Sequence, residues 1–173
     1  MITPPKRRYH AAKSIDDQGP IPLTPDAHAR MKARLARLKK QIPALAAEAG
    51  EAAAQGDRSD NAGYKEAKGL LRRATRQILT LEDQLKRVIE IAPGAGADGT
   101  VRIGSTVALE TIDDGITKKV TYEILGPFET DPAAGRISYK SPLGAALMGK
   151  SNGEIVRIAA AGKAKEYKII SVK

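Results

Sequence analysis

The chain has 173 residues, with 29 lysines and arginines against 20 aspartates and glutamates and a formal net charge of +9. That length holds one ordinary domain or two small ones, and the basic balance admits a polyanionic partner without demanding one. The absence of cysteine excludes disulfides and thiolate metal sites, and no apolar run nears the roughly 20 residues of a membrane span.

Residues 1–22 hold Pro4, Pro5, Pro20 and Pro22, a basic cluster (Lys6, Arg7, Arg8) and no apolar period, and read as a flexible arm. The N-terminus lacks an apolar signal core, so a cytoplasmic protein with no membrane partner is expected. A helix start follows, with Thr24 as N-cap, Pro25 at the first helical position and Asp26 in the first turn. Met31, Leu35, Leu38, Ile42 and Leu45 then recur at alternating spacings of four and three, a heptad seam that Pro43 interrupts. Beyond Pro43 the seam turns to alanine at Ala46, Ala49, Ala52 and Ala53, which lets two helices approach closely.

A second seam runs through Tyr64, Ala67, Leu71, Ala74, Ile78, Leu81, Leu85 and Val88. Two such seams joined by a short bend predict an antiparallel coiled-coil hairpin over residues 23–91, with arms of about 45 Å at 1.5 Å per residue. The bend is Gly56-Asp57-Arg58-Ser59-Asp60-Asn61-Ala62-Gly63-Tyr64. Gly56 suits a left-handed helix end, and Ser59, Asp60 and Asn61 can each cap the next helix. Turn chemistry explains one or two of these polar residues, but does not demand two carboxylates three positions apart. Close behind the bend stand Lys65, Lys68, Arg72, Arg73 and Arg76. They read either as an ordinary solvated face or as a stripe facing phosphates.

Pro93, Gly94, Gly96 and Gly99 mark residues 92–100 as a linker. From Val101 the apolar period changes to two. Strands are expected at 106–111, 118–125, 136–139, 155–159 and 166–172, with Asp113-Asp114-Gly115 as a hairpin turn. Ser141-Pro142 opens a short helix through Met148, so residues 101–173 read as a small β-rich domain with one helix. The overall expectation is an α+β chain. His10 and His28 have no partners at ligand or triad spacing, and neither a phosphate-binding glycine loop nor a Ser-His-Asp arrangement is visible.

The order of these parts resembles the bacterial Gre transcript-cleavage factors. The bend resembles that family's Gly-Asp-x-x-(Glu/Asp)-Asn-Ala-x-Tyr signature, with Arg58-Ser59 leaning towards the B-type member. Ile137-Ser138, Ser141-Pro142, Leu147, Gly149-Lys150 and Gly153 resemble the second signature, in an FKBP-like fold. The likeness covers residues 21–173. Asp60 stands where glutamate is commoner, and Gly63 where a side chain is usual.

The resemblance implies a monomeric transcription elongation factor, not itself an enzyme, whose coiled coil enters the secondary channel of RNA polymerase. Asp57 and Asp60 would lend carboxylates to a Mg²⁺ ion shared with the polymerase, with none bound stably by the factor alone. The polymerase's intrinsic cleavage of backtracked RNA would be stimulated. Lys68, Arg72, Arg73, Arg76 and Tyr64 would meet the nascent RNA 3′ end. Ser141, Pro142, Leu143 and Leu147 would dock the FKBP-like domain at the channel rim. Three other readings stand beside this one. They are a channel-binding regulator without cleavage, a prolyl isomerase, and a general nucleic-acid-binding coiled coil. The isomerase needs an aromatic-lined pocket, and after residue 100 the aromatics are only Tyr122, Phe128, Tyr139 and Tyr167.

Overall fold

A computed structural model describes residues 19–54, 61–113, 116–160 and 163–173. Helix α1 (Pro25–Ala54) starts where expected, and the Thr24 hydroxyl accepts from the Ala27 N–H at 3.3 Å. Pro43 lies inside α1 without ending it. Helix α2 (Ala62–Lys86) runs back along α1. Residue 61 meets residue 52 and residue 82 meets residue 39, so the pair is antiparallel.

A two-helix rod has one contact face per helix, and its burial is correspondingly partial. Ala27, Ala49, Ala67, Ala74 and Leu81 are buried, whereas Met31, Leu35, Leu38, Ile42 and Leu45 are half-buried. Ala46, expected in the seam, is exposed.

The base of the rod differs from expectation in one respect. Ile21 and Pro22, read as the end of an arm, form strand β1 (Ile21–Leu23), and Val88, read as helix seam, opens strand β2 (Val88–Glu90). The two strands pair in parallel, Ile21 opposite Val88 and Leu23 opposite Glu90. Ile21, Leu23 and Ala27 form a small core with Met31 and Val88 packed against it. Three residues of strand are too few to leave a period in the sequence, and the pairing partner lies across the whole hairpin.

After the linker come β3 (Thr106–Asp113), β4 (Ile116–Leu125), β5 (Arg136–Ser138), α3 (Pro142–Leu147), β6 (Ile155–Ala160) and β7 (Lys163–Val172). The five strands make one sheet in the order β5-β4-β3-β7-β6, so all five expected strands and the short helix are present. β3 and β4 pair up to Asp113 opposite Ile116; Asp114 and Gly115 of the expected turn lie outside the described residues. Alternation sends Val107 and Leu109 of β3 and Tyr167 and Ile169 of β7 inward, to a core with Val101, Ile124, Leu147 and Val156. Each fully buried Leu, Ile or Val contributes about 1.5–3 kcal/mol. The structure therefore has the expected α+β order, a helical hairpin followed by a β-rich domain with one short helix.

Candidate functional site

Asp57 and Asp60 lie outside the described residues; the residue that holds the helices on either side of them does not. Asn61 is the N-cap of α2, its side-chain oxygen accepting from the Tyr64 N–H at 3.0 Å. Its Nδ2 donates to the Ala52 carbonyl at 2.6 Å. Ala52 is in the last described turn of α1, and the first amides of α2 have no partner within that helix. One asparagine side chain thus caps α2 and hydrogen-bonds to α1, tying the two helices together. Asn61 is one of the three caps the sequence offers; the other two, Ser59 and Asp60, lie outside the described residues.

Tyr64 sits half-buried in the first turn of α2, and Lys68 Nζ donates to its hydroxyl at 3.3 Å and lies 5.2 Å from the ring centroid. Lys68, Arg72 and Arg76 are exposed and, at 100° per residue, fall within an arc of about 80°. Arg72, Arg73 and Arg76 have no hydrogen bond or ion pair from their side chains to any described residue. Elsewhere the rod does pair its charges, as with Lys39 and Glu82 at 2.6 Å. Arg73 is turned about 140° from Lys68 and lines a different groove, with Gln41, Leu45, Leu70 and Gln77. The structure therefore groups Lys68, Arg72 and Arg76 and sets Arg73 apart.

The expected docking residues divide as well. Ser141 caps α3, its Oγ accepting from the Gly144 N–H at 3.1 Å and donating to the Ser138 carbonyl at 2.7 Å. Gly144 packs so close to β5 that an added Cβ would stand 2.1 Å from the Ser138 oxygen. Pro142 is exposed and Leu143 half-buried, but Leu147 is fully buried in the sheet core. Leu147 is thus corrected from a docking residue to a core residue. Its place follows from helical spacing: it lies four residues beyond Leu143 and one turn deeper into the core.

Past α3, the Glu154 carboxylate accepts from the Ser151 N–H at 2.7 Å and from Lys150 Nζ at 3.0 Å. The Ser151 N–H first, and Lys150 second, hold its carboxyl below the usual glutamate range. Among the described residues no group of three or more His, Cys, Asp or Glu is placed to hold a metal, and no helix is long and apolar enough to cross a membrane.

One contact was invisible in the sequence. Glu129, on a 3-10 turn (Pro127–Glu129) after β4, is buried and accepts from the Thr24 N–H at 2.6 Å and the Thr24 hydroxyl at 2.7 Å. It joins residues 105 positions apart, and no local pattern announces such a pair.

Comparison with known proteins places both halves. Residues 21–89 match the family model described as transcription elongation factor, N-terminal, and residues 96–173 match the one described as transcription elongation factor, GreA/GreB, C-term. The transcription elongation factor GreA of Ralstonia nicotianae is 41% identical over 155 residues, 88% of this chain and 97% of that one. The GreA of Rhodospirillum rubrum is 40% identical over 156 residues, again 88% and 97%. A solved structure of the transcription factor Gfh1 aligns over 88% of this chain and 97% of that one, at 24% identity and a TM-score of 0.42. Two family models in chain order across nearly the whole described length, with relatives at 40% and 41% identity, lead to one conclusion: the chain belongs to the GreA/GreB family of transcription elongation factors.

Proposed function

We propose that this elongation factor binds RNA polymerase in the cytoplasm, enters its secondary channel with the hairpin bend leading, and stimulates cleavage of backtracked RNA. The observation that carries this reading is Asn61. It ties the start of α2 to α1, so the segment between the two helices, with Asp57 and Asp60, would be carried at the end of the rod. A 30-residue helix reaches about 45 Å, enough to bring a bend far from the body of the factor.

Two carboxylates are hard oxygen donors suited to Mg²⁺, which is usually held by one or two carboxylates together with waters and substrate phosphates. Asp57 and Asp60 would hold the ion together with the polymerase and the RNA. Such an ion supplies activation of water and stabilisation of the leaving oxygen. The chain's own part is to position and to neutralise. Lys68, Arg72 and Arg76, clustered on one arc, would meet RNA phosphates, and Tyr64 offers a ring at the first turn for the RNA end. The sheet domain would hold the factor at the channel rim, with Pro142 and Leu143 at its surface beside the capped turn.

The test is RNA 3′-end cleavage in purified backtracked complexes with Mg²⁺. The wild type should accelerate cleavage, and Asp57→Asn/Asp60→Asn should bind without accelerating it. Binding by both without acceleration by either would overturn the cleavage reading in favour of a regulator that only occupies the channel.

A further inference from the structure

Helix α1 begins at an N-cap threonine whose hydroxyl takes the Ala27 N–H, three residues on. In the reciprocal form of this cap, a glutamate at that third position reaches back to the N–H of the capping residue. Here the third position is Ala27, which has no side chain to reach with. The missing carboxylate comes from the other domain: Glu129 takes the Thr24 N–H at 2.6 Å and the Thr24 hydroxyl at 2.7 Å.

The Glu129 side chain is 1% exposed, and the nearest ion-pair nitrogen, Nη2 of Arg136, stands 3.6 Å away while the Nε of that arginine lies 3.4 Å from Glu123. The carboxylate is therefore held chiefly by the N-cap, and by the positive end of the helix dipole behind it. A second feature marks the same seam. Gly126, three residues before Glu129, lies against β1 so closely that an added Cβ would stand 2.2 Å from the Pro22 oxygen.

We propose that Glu129 is a positioning residue. By completing the α1 cap from the sheet domain, it sets the direction of the rod relative to the domain that holds the factor at the polymerase. The proposal rests on the function proposed above. Its leverage comes from length. On a rod of about 45 Å, a rotation of about 5° at the base carries the far end about 4 Å. A misplacement of about 1 Å in a reacting group can cost about a hundredfold in rate. Breaking the latch should thus leave both domains folded and the factor able to bind, while the carboxylates reach the reacting centre in fewer productive poses.

Three variants separate this role from simple stability. Glu129→Leu removes the acceptor. Gly126→Ala keeps Glu129 but inserts a methyl group against Pro22, and the Gly126 φ of −69° suits alanine, so only the seam is disturbed. Glu129→Gln keeps the shape, with an oxygen for the Thr24 N–H and an amide that can donate to its hydroxyl. Because the chain has no cysteine, Glu48→Cys and Lys119→Cys give one spin label on the rod and one on the sheet domain. Distance distributions, thermal unfolding, and cleavage rate against factor concentration are then measured for each variant in the full chain.

In the folded proteins, Glu129→Leu and Gly126→Ala should broaden the interdomain distance. They should also lower the saturating cleavage rate by about tenfold or more while the half-saturating concentration changes little. Glu129→Gln should restore a narrow distance and most of the rate. Wild-type rates at saturation in both Glu129→Leu and Gly126→Ala would overturn the proposal, as would Glu129→Gln failing to the same extent as Glu129→Leu. A wild type that itself does not accelerate cleavage refutes the functional reading instead, and the positioning role falls with it. If Glu129→Leu does not fold, Gly126→Ala decides.

Discussion

Asn61 is the residue whose removal should most directly loosen the bend. Asn61→Ala loses an N-cap, about 1 kcal/mol, and a hydrogen bond to the Ala52 carbonyl, about 1 kcal/mol more. Asn61→Asp keeps the cap, because aspartate and asparagine cap equally well, but presents an acceptor to the Ala52 carbonyl and so loses the second contribution. These changes are local to the end of the rod, so global unfolding is the wrong probe. Amide hydrogen exchange at Tyr64, whose N–H is the capped one, reads the local opening free energy. At about 1.4 kcal/mol per tenfold, exchange should quicken by about 30-fold in Asn61→Ala and about fivefold in Asn61→Asp. Cleavage stimulation should fall in the same order. Exchange at the wild-type rate in Asn61→Asp would refute the bridging role of Nδ2 and leave Asn61 as an ordinary cap.

Two further expectations concern the flanking charges. Arg72→Ala and Arg76→Ala should each weaken contact with RNA phosphates and lower the slope of log affinity against log salt by about 0.7, whereas Arg73→Ala, turned to another groove, should leave the slope unchanged. A salt titration of factor binding to backtracked complexes checks this, and equal effects from all three would show that the grouping has no consequence. For Glu154, the folded carboxyl is held low, so its contribution to stability is present above the usual glutamate range and is lost as pH falls through the lowered value. The difference in Tm between the wild type and Glu154→Gln should therefore shrink as pH is lowered through that range. A difference constant with pH would exclude a role for the ionised form.

Much of this architecture was legible because it is periodic or locally punctuated. The alternating three-and-four spacing declared the hairpin, the period of two declared the sheet, and Thr24-Pro25 and Ser141-Pro142 marked two helix starts. Each of these signals lies within one turn or one strand of the residues it organises. Where the physics was longer in range, local reading ran out. Val88 continues the helical spacing of α2, yet it pairs with Ile21, a partner that the hairpin brings alongside it at the rod's base. Leu147 carries part of a signature, but its signature position says nothing of which way it faces, and helical geometry turns it into the core.

The candidate site divides along the same line. The carboxylate pair and the basic residues behind it can be named from the order of amino acids, since they depend only on neighbours in the chain. Which cap ties the bend, which arginine leaves the group, and what holds the rod to its domain are decided in three dimensions. Asn61 reaches back nine residues to Ala52, Arg73 is displaced by the helical angle, and Glu129 reaches 105 residues to Thr24. Orphaned groups at helix ends must find partners, and only the folded chain determines which side chain is near enough to serve.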